Sequence, residues 1–158
     1  MEQKPVISPE LEPHLFRLAA ESAPGCIQFL RDLVTFPSPS RAERLACERV
    51  LTEMQELGYQ DVHIDEMGNV LWRFGSGPRM LAFDAHVDTV GITNPTRWRY
   101  DPFRGIVSGG TLYGRGASDQ KQVIEELRAA ARLAVHDELT GPGWRVLAHQ
   151  LEQDRLRA

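Results

Sequence analysis

Cysteine is scarce in this 158-residue chain: Cys26 and Cys47 are its two examples. That is too few for a disulfide framework. Both lie among apolar residues of helical stretches, so buried free thiols in a reducing compartment are expected. No apolar run approaches the ~20 residues that a membrane span requires. The opening Met1-Glu2-Gln3-Lys4-Pro5 has neither the basic nor the apolar region of a secretory signal, and a cytoplasmic location is expected. Positive charge is not in excess: 18 Lys and Arg stand against 22 Asp and Glu, a net charge of −4. Such a balance offers no field to attract nucleic acid. Internal repeats and low-complexity blocks are also lacking. What remains is an ordinary globular composition, 42% apolar and 25% charged. The length suits one domain with a real core.

Periodicity predicts a helix over about Pro13 to Ala20, with Leu15 and Leu18 inward, and a second over about Ala23 to Thr35. In the second, Ile27, Leu30, Leu33 and Val34 recur at helical spacing. Phe36-Pro37-Ser38-Pro39 ends it, because a residue before proline is pushed out of the helical region. Ser40-Arg41-Ala42-Glu43 has the pattern of a capping box. The third helix it would open carries Ala42, Leu45, Ala46, Val50, Met54 and Leu57 on one face, and Gly58 closes it. The period then changes. Val62-His63-Ile64 and Val70 to Phe74 read as antiparallel strands around a Met67-Gly68-Asn69 turn. Met80-Leu81-Ala82-Phe83 is a continuous apolar run, as in a strand buried on both faces. Ile106-Val107 and Leu112-Tyr113 flank Gly109-Gly110 as a hairpin. A helix over about Gln120 to Val135 and a strand at Trp144 to Ala148 complete the order. This succession predicts an α/β sandwich with a mixed sheet.

Two segments carry chemistry. Asp84-Ala85-His86-Val87-Asp88-Thr89 follows the apolar strand, at the strand end where open α/β sheets place their sites. His86 and Asp88 are two apart and share a face in extended backbone. Neutral imidazole is a zinc ligand, and a carboxylate behind it fixes the tautomer. Taken alone, a His-x-Asp is more often a strand-end ion pair. Tyr113-Gly114-Arg115-Gly116-Ala117-Ser118-Asp119-Gln120-Lys121 is the second segment. Its glycines permit a tight backbone path. Asp119 reads either as a helix N-cap or as a carboxylate shared by two cations, which two metals ~3.5–4 Å apart require.

Together the two segments resemble the family of acetylornithine deacetylase, succinyl-diaminopimelate desuccinylase, aminoacylase and glutamate carboxypeptidase. Phe29 to Val34 with Pro37-Ser38, Met67 to Val70, and Trp98 to Phe103 add to the likeness, which is good over residues 26 to 121. Gly91 to Phe103 is similar to the branch called selenium-metabolism-linked hydrolases. The resemblance implies that His86 binds one zinc, that Asp88 supports it as a catalytic-site residue, and that Asp119 bridges two zincs, with Co2+ as another metal such a site accepts. It implies hydrolysis of an amide in an N-acyl amino acid or small peptide. It also implies a cis peptide at Asp119–Gln120.

After Lys121 the likeness decays. The family has two glycines where Gln122 and Val123 stand, and then a Glu-Glu pair. Leu151-Glu152-Gln153-Asp154 aligns with that pair in degraded form, making Glu152 the catalytic base; otherwise it is a solvated turn. Glu125-Glu126 lies too early. His14, His63, His136 and His149 read as surface or structural. Two parts are therefore expected: residues 1–121 as the N-terminal part of the zinc hydrolase domain, and 122–158 as a diverged or truncated continuation, with no lid (dimerisation) domain. At most partial zinc binding and no activity follow for a truncated or frameshifted product. The alternatives are a non-catalytic regulatory fragment that associates with a full-length relative, and a minimal hydrolase completed by a separate chain. An apolar sheet edge around Met80 to Phe83 would favour self-association and poor solubility.

Overall fold

The computed structural model describes residues 11–75, 77–119, 121 and 144–150. Helix α1 runs Leu11–Thr35 and α2 runs Arg44–Glu56. Strands β1 (Gln60–Ile64) and β2 (Val70–Phe74) form a hairpin; β3 spans Arg79–Ala85. A short 3-10 turn at Pro95–Arg97 precedes the separate hairpin of β4 (Ile106–Ser108) and β5 (Thr111–Tyr113). Strand β6, Trp144–Gln150, returns to the first sheet. The four-stranded sheet has the order β1-β2-β6-β3. Its β6 is antiparallel to β2 and parallel to β3, so the sheet is mixed, as the alternation of elements predicts.

The start of the chain departs from the sequence reading. One helix replaces two, and Pro24 lies inside it. A proline costs a helical hydrogen bond, yet Ser22, Cys26, Phe29 and Leu33 form an unbroken buried stripe across it. Continuous burial outweighs the local break. That stripe is rotated from the expected one: Ile27 is 49% exposed. Leu15 and Leu18 are half-buried.

The capping box also fails. Helix α2 starts at Arg44 with no side-chain cap bond. Ser40 sends its hydroxyl elsewhere, to Asp88, while the Glu43 carboxylate accepts the Arg41 N–H at 2.9 Å. Ala42 and Leu45 face solvent; Ala46, Cys47, Val50 and Met54 are buried. The other end closes as expected. Gly58 is left-handed at φ 76°, its N–H donates to Gln55 O, and the Tyr59 N–H donates to Met54 O, a Schellman closure.

The core gathers Phe29, Leu33, Cys47, Val50, Met54, Val70, Trp72, Ala85 and Val87, and both cysteines are buried outside any disulfide. Between the helices, the Arg49 guanidinium bridges Asp32 at 3.0 Å and Glu53 at 2.8 Å and lies 4.9 Å from the Phe29 ring centre. Burial works against its charge, but the two carboxylates more than offset this and hold its pKa above the usual range.

Strand β3 is not buried on both faces. Met80 is 52% and Phe83 39% exposed. The strand ends the order of the described sheet, with β6 on one side, and among its described side chains Ala85 joins the core that α1 and α2 build. The helix expected over Gln120 to Val135, with Glu125 and Glu126, lies outside the described residues apart from Lys121, and so does His136. No helix among the described residues is long and apolar enough to cross a membrane.

Candidate metal centre

Strand β3 stops at Ala85, and the backbone beyond it stays extended enough to alternate. Ala85, Val87 and Thr89 are buried, while His86 and Asp88 are half-buried on the other side. The turn after α1 holds this stretch in place. The Ser38 hydroxyl donates to Val87 O at 2.7 Å, and the Thr89 N–H donates to Ser38 O at 2.7 Å. Ser40 Oγ donates to Asp88 Oδ2 at 2.8 Å. The other carboxylate oxygen, Oδ1, is 2.7 Å from His86 Nδ1. A carboxylate there favours the proton on Nδ1 and leaves the Nε2 lone pair available.

Nε2 faces Asp119: the His86 Nε2 to Asp119 Oδ1 separation is 3.8 Å. Asp119 sits in a turn whose N–H groups donate backward, Ala117 to Gly114 O and Asp119 to Gly116 O, both at 3.3 Å. The two glycines answer to close packing. A side chain at Gly114 would run into Val34 Cγ1, and one at Gly116, where φ is 78°, would come within 2.7 Å of Thr89 Cγ2. Arg115 ties the turn to its surroundings. Its N–H donates to Pro102 O and its Nε to Val90 O, both at 2.7 Å.

Beyond the turn, Lys121 is 2% exposed, and its Nζ donates to Leu33 O at 2.9 Å and Phe36 O at 3.4 Å. Burial lowers its pKa to about 8, and the Asp88 carboxylate opposes that fall. An open hollow of about 390 Å³ lies beside Asp119, bordered by Thr89, Trp98, Arg115 and Gly116.

The structure therefore brings His86, Asp88 and Asp119 together at the C-terminal end of β3. Two ligands of one zinc, each bonded at ~2 Å, cannot be more than ~4 Å apart, and the 3.8 Å spacing meets that limit. Among the described residues, no group of three His, Cys, Asp or Glu side chains could hold a metal ion. His86 and Asp119 are a pair of donors, with Asp88 turned to the far ring nitrogen. Glu152, Gln153 and the Asp119–Gln120 peptide lie outside the described residues. Of the other histidines, His14 contacts Arg17 Nη2 at 2.9 Å and His63 Nδ1 lies 2.7 Å from Asp61 O. His149 pairs through its backbone with Leu71 and Asp84.

Ser38, Ser40 and Lys121 also belong to the site. Ser38 has a sequence signal only within Pro37-Ser38, Ser40 has the pattern of a helix cap, and Lys121 sits at the end of the second motif with no signal of its own.

Residues 82–144 match the model of Peptidase family M20/M25/M40. The uncharacterized protein YgeY of Escherichia coli K12 is 43% identical over 117 residues, which cover 72% of this chain and 29% of that protein. A succinyl-diaminopimelate desuccinylase of Methylocella silvestris is 31% identical over 119 residues, covering 71% of this chain and 31% of the enzyme. The chain thus spans about a third or less of these relatives' length. In fold, the di-peptidase Dug1p of Saccharomyces cerevisiae superposes with a TM-score of 0.72 at 15% identity, over 90% of this chain and 36% of Dug1p. The likeness first visible in two short motifs thus extends to the domain, and the chain carries an N-terminal part of an M20-type peptidase catalytic domain.

Proposed function

We propose that this segment supplies one wall of a dinuclear zinc centre for hydrolysis of amide bonds in N-acyl amino acids or small peptides. The observation that carries the reading is the Asp88–His86–Asp119 relay of contacts, at 2.7 Å and 3.8 Å. His86 Nε2 would bind one metal and Asp119 would bridge to the second. Asp88, held by Ser40, would orient the imidazole. Co2+ would suit the same donors. Such a metal pair, when bound, acidifies a water and polarises the amide carbonyl. The hollow bordered by Trp98 and Arg115 would receive the substrate.

The described residues offer two ligands, whereas each zinc needs about four. Glu152 would add a base at most. The 158-residue polypeptide on its own is therefore expected to bind zinc weakly, at a single site, and to show no amide hydrolysis. The test is an assay with N-acyl amino acids and dipeptides in added zinc, beside a His86→Ala control. Zinc-dependent turnover that vanishes in the control would overturn the expectation of inactivity. Zinc binding that is the same in both proteins would sink the site itself.

A second reading rests on the exposed Met80 and Phe83 of β3. The chain would associate through this strand, with itself or with a longer relative, and sedimentation of a monodisperse monomer would count against it. The buried thiols of Cys26 and Cys47, neither in a disulfide, support a reducing, cytoplasmic setting.

A further inference from the structure

Lys121 is a buried cation that the proposed chemistry does not use. Lysine is rarely buried without partners, and here the partners are specific. Leu33 O belongs to the last turn of α1, at the negative end of the helix dipole, where it accepts the Phe36 N–H at 3.4 Å and has no i+4 helical donor. The ammonium donates to it at 2.9 Å and to Phe36 O at 3.4 Å. The lysine stem packs along the Asp119 turn: a side chain at Gly116 would come within 3.3 Å of Lys121 Cδ. From Phe36, the same chain segment goes on to Ser38 and Ser40, which hold Val87, Asp88 and Thr89. Both halves of the candidate centre are thus fastened to one stretch, Leu33 to Ser40.

We propose that Lys121 is a positioning residue for Asp119, clamping the 114–119 turn to the end of α1 so that the Asp119 carboxylate stays at bridging distance from His86. The inference rests on the proposed metal centre for its consequence, but the clamp itself is a property of the metal-free protein. A lost clamp lets the turn drift while the core around Trp72 and Val50 stays intact.

The experiment compares the full chain with Lys121→Met in two ways. In the metal-free protein, backbone order parameters from nitrogen-15 relaxation should fall for Gly116 to Asp119 and remain unchanged in β1 and β2. In zinc titrations, the dissociation constant should rise about tenfold, the lower end of the effect of removing a residue that orients a ligand. That loss should disappear when Lys121→Met is added to Asp119→Asn, because the clamp acts through that carboxylate. Unchanged order in the turn would overturn the proposal whether or not zinc binds. Equal losses of affinity in both backgrounds would overturn it as well, marking Lys121 as generally structural. A wild-type chain that binds no zinc would defeat the metal centre, and the relaxation result would still decide the clamp. If Lys121→Met does not fold, Lys121→Gln carries the same measurements, since it keeps an N–H donor but shortens the reach.

Discussion

Ser40 Oγ donates to Asp88 Oδ2 across 2.8 Å, joining residues forty-eight positions apart. The bond occupies the carboxylate oxygen that His86 does not, so the carboxylate plane is set from one side by a hydroxyl and from the other by an imidazole 2.7 Å away. The imidazole facing that carboxylate is thereby oriented in turn, and a ligand so oriented loses less freedom on binding a metal.

Replacing Ser40 by alanine tests the point. The side chain is exposed, so stability should change by less than about 1 kcal/mol. Zinc affinity should fall about tenfold, as for other residues that orient a ligand. Calorimetric titration beside a thermal melt separates the two effects; an unchanged affinity would show that Ser40 does not orient Asp88.

Ser38 should behave in the opposite way. It is fully buried, and its hydroxyl serves Val87 O. Ser38→Ala leaves that carbonyl without its donor at a cost of about 1–3 kcal/mol. A lowered urea midpoint with an unchanged slope is the expected result.

Gly114→Ala is expected to destabilise the chain by about 1–3 kcal/mol through overpacking, because the new methyl meets Val34 Cγ1. Trimming the neighbour with Val34→Ala should return part of the loss, which a double-mutant cycle in denaturant would measure.

Lys121 imposes a pH dependence on the metal-free chain. Its pKa falls from 10.5 to about 8 on folding. Between those values the unfolded chain binds more protons than the folded one, so stability rises with pH through that window. The gain is full above the unfolded value and is lost as pH falls through about 8, and it amounts to at most about 3 kcal/mol. Wild type minus Lys121→Met, compared in melts near pH 7 and pH 10, should show it; a difference that does not change with pH would contradict the burial of a charged Lys121.

Much of the candidate site was legible because its signals are local. His86-Val87-Asp88 needs only extended backbone to put two side chains on one face. The turns at Gly58, Gly68 and Gly109-Gly110 need only residues that accept positive φ. The hairpin of β1 and β2 and the strand at Trp144 follow from alternation and apolar runs. Where a local rule met a long-range partner, the rule failed. Periodicity separates two helices between Ala20 and Ala23, yet α1 runs on through that gap and Pro24 because the buried stripe from Ser22 to Leu33 is worth more than one backbone bond. Ser40 reads as a cap, yet the Asp88 carboxylate, brought in by the stretch beyond β3, is a stronger acceptor for its hydroxyl than the helix can offer a donor to its oxygen.

The sequence by itself determined the element types, the mixed α/β character, the two motifs and the family likeness, because each is encoded within a few residues or in their order. Only the tertiary structure decided that Ser38, Ser40 and Lys121 hold the two motifs to one turn, and that Nε2 of His86 stands 3.8 Å from Asp119. Those distances arise from segments up to 88 residues apart meeting at the end of α1. Such meetings depend on how the core packs, and no local periodicity records them.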